Sequence, residues 1–200
     1  MRPIGALAVA VLLPALVAAG QPRHPSPPGA FPLLFDSEWV ELTIVPDSLQ
    51  VDARYVMRCR GRTERPTPLV FPFPVDSLLG GWRMIDARVA GDPPEPIRWE
   101  PMPGASAVRL WVPPCTADTL VLEAVYRQAR RTDYARYIVT TVGGWGRPLN
   151  YAGFGIRLPQ GARPLEFSFP FLPDSACAGR YVYEACEFWP QHDVTVRWRP

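Results

Sequence analysis

From Phe35 onward, apolar and polar positions alternate in short runs cut by proline and glycine. Alternation with a period of two marks strands that bury one face. Glu38 to Val45 puts Val40, Leu42 and Ile44 on one face. Val51 to Cys59 sets Val51, Ala53, Tyr55, Met57 and Cys59 on one side. Arg54, Arg58, Arg60 and Arg62 form a row on the other. Leu69 to Phe73 is short and flanked by proline. Trp82 to Val89 groups Ile85, Ala87 and Val89. Pro96 to Pro101 and Ala107 to Val112 read as a hairpin around Pro103 and Gly104. Thr119 to Arg127 lines up Leu120, Leu122, Ala124 and Tyr126. Tyr134 to Val142, Tyr151 to Leu158, Leu165 to Phe169, Tyr181 to Phe188 and Val194 to Trp198 complete the series.

No window carries a clear helical stripe. The best one, Leu120 to Arg131, also alternates. The 26 prolines, scattered across the junctions, favour many short strands over helices. The pattern predicts an all-β fold, an antiparallel β-sandwich of immunoglobulin-like or related type, with about ten strands. One domain is expected over residues 35–200. Between two of its strands lies the glycine-rich stretch TTVGGWGRPLN. Gly143, Gly144 and Gly146 suit a connection, because glycine tolerates positive φ. Trp145 there is expected to fold back as a plug on the open end of the sandwich. The competing expectation is an exposed binding tryptophan.

Two N-terminal segments break the strand pattern. Residues 1–20 hold one early charge, Arg2, then an apolar run, then small residues, the layout of a secretory signal peptide. Residues 21–34 are proline-rich and predict an extended linker. An exported protein, periplasmic or extracellular, is therefore expected, with no transmembrane span in the mature chain. All 21 basic Lys/Arg positions are arginine, which points to a GC-rich bacterial genome. The net charge of +2 argues against nucleic acid as a partner. In an exported chain four cysteines read as two disulfides. Cys177 and Cys186 flank a short turn and are paired on proximity, leaving Cys59 with Cys115.

The chemistry of catalysis is thin. His24 falls in the linker and His192 just before the last strand. No nucleophile elbow, phosphate-binding loop or zinc-protease motif occurs. No cofactor and no metal site is predicted. Paired carboxylates for a glycosidase have two sources: Asp92, Glu95 and Glu100 in one connection, or Glu184 with Glu187. Binding has better candidates. Arg54, Arg58, Arg60 and Arg62 could grip an anionic polymer. Tyr181, Tyr183 and Trp189, beside Phe188, could stack on sugar rings or fill the core.

Several short motifs run together: LVFPFP at 69–74, VYRQ at 125–128, YIVTT at 137–141, WGRPL at 145–149, FGI at 154–156 and FWPQHDVTVRW at 188–198. In these the chain resembles exported bacterial β-sandwich domains without an assigned activity. The resemblance implies an exported β-sandwich and transfers no catalytic residue. The expectation is a non-catalytic exported domain that binds or assembles with an envelope or extracellular protein or glycan. A secreted hydrolase using paired carboxylates and an accessory carbohydrate-binding module are the alternatives.

Overall fold

The computed structural model describes residues 31–200. The expected signal peptide and most of the expected linker lie outside the described residues. Fourteen strands follow in order: β1 (Leu33–Val45), β2 (Ser48–Cys59), β3 (Thr67–Pro72), β4 (Leu79–Val89), β5 (Glu95–Pro96), β6 (Arg98–Pro101) and β7 (Ala107–Val112). Then come β8 (Thr119–Arg130), β9 (Tyr134–Tyr137), β10 (Leu149–Arg157), β11 (Arg163–Phe167), β12 (Leu172–Pro173), β13 (Arg180–Phe188) and β14 (Val194–Arg199). A 3-10 turn, Thr140–Trp145, separates β9 from β10. β1 begins at Leu33, inside the stretch that the prolines mark as linker.

The strands form one eight-stranded sheet, in the order β12-β13-β10-β1-β2-β8-β4-β5. Two three-stranded sheets accompany it, β11-β14-β9 and β3-β7-β6. All pairs are antiparallel except β1 with β10. The fold is thus an all-β, sandwich-like arrangement, as the alternation predicts. The small sheets pack on the inner face of the large one. Phe71 of β3 meets Tyr55 and Tyr126 at ring distances of 5.9 and 5.8 Å. Tyr137 of β9 meets Phe154 of β10 at 6.3 Å. Burial of this apolar surface is the main force holding the layers together.

Two irregularities decide which side chains face inward. In β1 the pairing with β2 shifts between Phe35 and Ser37, leaving Asp36 as an extra residue. A bulge of this kind reverses the parity of everything after it. Leu33 and Phe35 point inward before it; Glu38, Val40, Leu42 and Ile44 do so after it. In β4 the pairing with β8 slips between Met84 and Asp86. Met84 and Ala87 are buried as a result, and Ile85, which simple alternation groups with Ala87, is 49% exposed.

The outer face has its own fit. β10 carries Gly153 and Gly155 where Trp39 and Glu41 of β1 lie across it; a Cβ at either glycine would collide with those side chains. Glu41 is held there by Arg180 of β13, 2.8 Å away, and Arg180 also pairs with Asp174.

One disulfide, Cys59–Cys115, is formed as expected. The expected Cys177–Cys186 bridge is not; both thiols are free. The reason is the extended chain between them. Arg180 to Cys186 alone spans about 20 Å of strand, whereas bridged Cα atoms must lie within roughly 7 Å. Cys177 sits before β13 against Arg157, and Cys186 lies opposite Tyr151.

Candidate functional site

The inward turn of Glu38 places a carboxyl group in the middle of an apolar layer, at 3% exposure. In the register of β1 and β2 it stands directly opposite Tyr55. Tyr137, from β9 in the facing sheet, donates a hydrogen bond to Glu38 Oε2 at 3.3 Å. The Tyr137 and Tyr55 hydroxyls are 2.8 Å apart. With the Tyr137 proton committed to Glu38, Tyr55 is the donor between them. Glu38 Oε1 has no hydrogen-bond partner. A buried polar atom without a partner costs on the order of 1–3 kcal/mol, so its presence calls for an explanation.

A cavity of about 100 Å³ adjoins the carboxyl group. Its walls are mostly apolar and include five aromatic side chains, Phe35, Tyr55, Phe71, Tyr137 and Trp145. Aliphatic groups from Met57, Leu110 and Val142 fill the gaps, and Val70 and Thr141, both exposed, mark its mouth. Burial pushes the Glu38 carboxyl up to about 8, with the Tyr137 hydrogen bond pulling the other way. The Tyr55 and Tyr137 phenols are also raised well above their ordinary range, burial being the larger cause. At neutral pH all three groups are therefore mostly uncharged. The site offers one protonatable carboxyl group at the wall of a mostly apolar cavity.

One wall is the 3-10 turn, where alternation predicts the end of a strand instead. β9 stops at Tyr137. Asp193, from the approach to β14, captures the next segment. Its Oδ1 accepts from the amides of Val139 and Thr140, each at 3.2 Å, and from the Thr140 hydroxyl at 2.9 Å. Of the three glycines in this stretch, only Gly146 has a positive φ, 69°, and it closes the turn. Trp145 packs edge-on against Phe31 and Phe35 at 5.6 and 5.8 Å. It is half-buried, so it serves as a plug on one side and as a pocket wall on the other.

The residues singled out from sequence fall mostly elsewhere. The arginine row does not form: β2 ends at Cys59, and Gly61, with φ 94°, turns the chain, leaving Arg60 and Arg62 beyond the strand. Arg58 is paired with Asp36 at 2.6 Å, and Arg54 lies between Trp39 and Glu123 in register. Tyr181 and Tyr183 are half-buried, each 5.1 Å from a phenylalanine ring, Phe167 and Phe169 respectively. Trp189 is 45% exposed and lines an open groove with Cys186, Glu187 and His192. His192 stacks on Phe169 and hydrogen-bonds the Ser168 carbonyl at 2.9 Å. Glu100 is engaged by Arg98 and Arg109. Asp92, Glu95, Glu184 and Glu187 are exposed. Among the described residues no group of three His, Cys, Asp or Glu side chains is placed to hold a metal ion.

Of the residues singled out, only Trp145 reaches the Glu38 pocket. Glu38 itself escaped sequence reasoning, although its signal was present. It shares parity with Val40, Leu42 and Ile44, and an acid in phase with an apolar face is a buried acid.

No protein-family model and no curated protein matches the sequence. The structure is similar to that of a candidate nutrient binding protein from Legionella pneumophila, with a TM-score of 0.57 at 12% identity, over 84% of this chain and 67% of that one. It is also similar to yeast LTA4 hydrolase, with a TM-score of 0.51 at 10% identity, over 84% of this chain and 29% of that one. An M1 zinc metallopeptidase from Deinococcus radiodurans gives 0.49 at 17% identity, over 82% of this chain and 42% of that one. This chain thus spans less than half the length of either enzyme. At such identities the likeness speaks to the fold.

Proposed function

We propose that this chain is an exported, non-catalytic binding domain of a bacterial envelope or exterior, and that its ligand enters the Glu38 pocket. One observation carries the reading: Glu38, a buried acid whose Oε1 has no hydrogen-bond partner, lines a mostly apolar cavity. Apolar pockets with a few convergent polar groups and a perturbed titration are the usual form of a small-ligand site. Export rests on the N-terminal sequence. The candidate nutrient binding protein among the similar structures agrees with a binding role. The hydrolase reading has less support, because Glu100 is engaged by two arginines and the other paired acids lie exposed.

Met57 supplies the test. It lines the pocket and is buried, whereas Met84 and Met102 lie elsewhere. With methyl-labelled methionine, NMR titration with n-butanol, butyramide and n-butylammonium should move the Met57 methyl signal and spare Met84 and Met102. Silence at Met57 with all three probes at millimolar concentration overturns the proposal.

A further inference from the structure

We propose that the pocket's occupant is a primary alkylammonium group, with its nitrogen on Glu38 Oε1 and its carbon chain running out between Val70 and Thr141. This rests on the binding role proposed above and names the ligand chemistry. The donor pattern comes first. Oε2 already accepts from Tyr137, and Tyr137 from Tyr55, so the hydroxyl protons run toward the carboxyl group. Oε1 has no partner and is the oxygen free for a ligand. A guanidinium group prefers two carboxylate oxygens at once, whereas an ammonium group is a compact charge that needs one.

The shell points the same way. Phe35, Tyr55, Phe71, Tyr137 and Trp145 line the cavity, and aromatic rings attract a cation, the more so as water is excluded. No arginine or histidine lines the cavity, so a carboxylate formed at Glu38 would find its counter-charge only in the occupant. Size fits as well. A dry cavity of 150 Å³ takes a benzene ring, so about 100 Å³ has room for roughly four or five non-hydrogen atoms. n-Butylammonium has five, and the same five atoms end a lysine side chain. The sequence contains no lysine, so a second copy of this chain cannot supply that side chain. The source is a free amine or the lysine of another protein.

The binding step has a proton signature. Below about pH 8 the empty pocket holds Glu38 as the neutral acid. When the ammonium enters, the Glu38 O–H bond breaks, its proton leaves to the buffer, and the carboxylate pairs with the cation. The titratable groups facing Glu38 are Tyr55 from β2 and Tyr137 from β9, with Tyr126 of β8 behind them, and all three stay neutral in this range. β3, β7 and the 3-10 turn bring no charged side chain to the pocket.

The experiment is isothermal titration of the folded protein with n-butylammonium and n-butanol, from pH 6 to 8, in two buffers of different ionisation enthalpy. Ammonium affinity should rise by up to about tenfold per pH unit below pH 8. Close to one proton should be released per molecule bound at pH 6.5, and butanol should show neither effect. Glu38→Gln should weaken n-butylammonium by at least about tenfold, the loss of a charged hydrogen bond, and weaken butanol far less. If butanol binds as tightly as the amine, or Glu38→Gln leaves amine affinity unchanged, the ammonium assignment is overturned while the pocket remains a binding site. If neither binds but butyramide moves Met57, the ammonium assignment alone falls; if Met57 is silent to all three, both proposals fall. Nα-acetyl-lysine methylamide separates the sources: binding as tight as n-butylammonium identifies a protein lysine, and exclusion identifies a free amine.

Discussion

Through its burial, Glu38 makes the stability of the fold depend on pH. Its folded value of about 8 stands above the ordinary 4.5. Between these pH values the unfolded chain has released the proton and the folded chain still holds it. The folded state binds more protons, so stability falls as pH rises through that window, by at most about 1.4 kcal/mol per pH unit for this one group. Below the window the group has no effect, and above it the penalty is complete and constant. Glu38→Gln cannot ionise. Its urea midpoint relative to the natural protein should therefore climb steadily from pH 5 to pH 8. The other carboxylates cancel in that difference, and parallel curves would show that Glu38 is already ionised in the native state. The sequence held half of this. Parity with Val40 put the acid indoors, but the partners Tyr55 and Tyr137 are 82 residues apart in the chain. Contacts at that separation are set by how two sheets stack, which alternation along one strand does not record.

Among the elements, the strands were legible and their interruptions were not. β7 runs from Ala107 to Val112, and β13 and β14 differ from expectation by a single residue at one end. Alternation reports burial directly, and a strand in a sandwich is a burial pattern. The bulges at Asp36 and near Ile85 hide because one extra residue leaves no compositional mark. The 3-10 turn hides for another reason: Val139, just before it, continues the spacing of Ala135 and Tyr137, and Asp193, from a distant segment, stops the strand. That capture should be measurable. Asp193→Ala removes three hydrogen bonds to Val139 and Thr140, each worth on the order of 1 kcal/mol. Amide exchange over Val139 to Trp145 should speed up, while the amides of β1 keep their protection. Asp193→Asn retains an acceptor oxygen and should restore most of it. Unchanged exchange in the alanine variant would mean that Trp145, packed on Phe31 and Phe35, fixes the turn by itself.

At the scale of the molecule, the layers are joined by packing and by one covalent link. Cys59 ends β2 in the large sheet, and Cys115 follows β7 of the small one. The bridge closes a loop with a sequence separation of 56. Restricting an unfolded chain of that length stabilises the fold by about 4 kcal/mol in the chain-entropy account, and engineered bridges commonly give less. The loop contains β3 and β7, which supply Phe71 and Leu110 to the pocket wall. Replacing Cys59 and Cys115 by serine should therefore cost roughly 2–4 kcal/mol and weaken probe binding at Met57 in parallel. Replacing Cys177 and Cys186 should change stability by less than about 0.5 kcal/mol, since neither thiol is in the core. Thiol titration distinguishes the pairs directly. Two thiols should react in the denatured, unreduced protein, and four after reduction. If none reacts before reduction, Cys177 and Cys186 are bridged. β13 would then have to leave its register with β10, where Cys186 lies opposite Tyr151, and the aromatic packing of Tyr181 and Tyr183 would be lost with it.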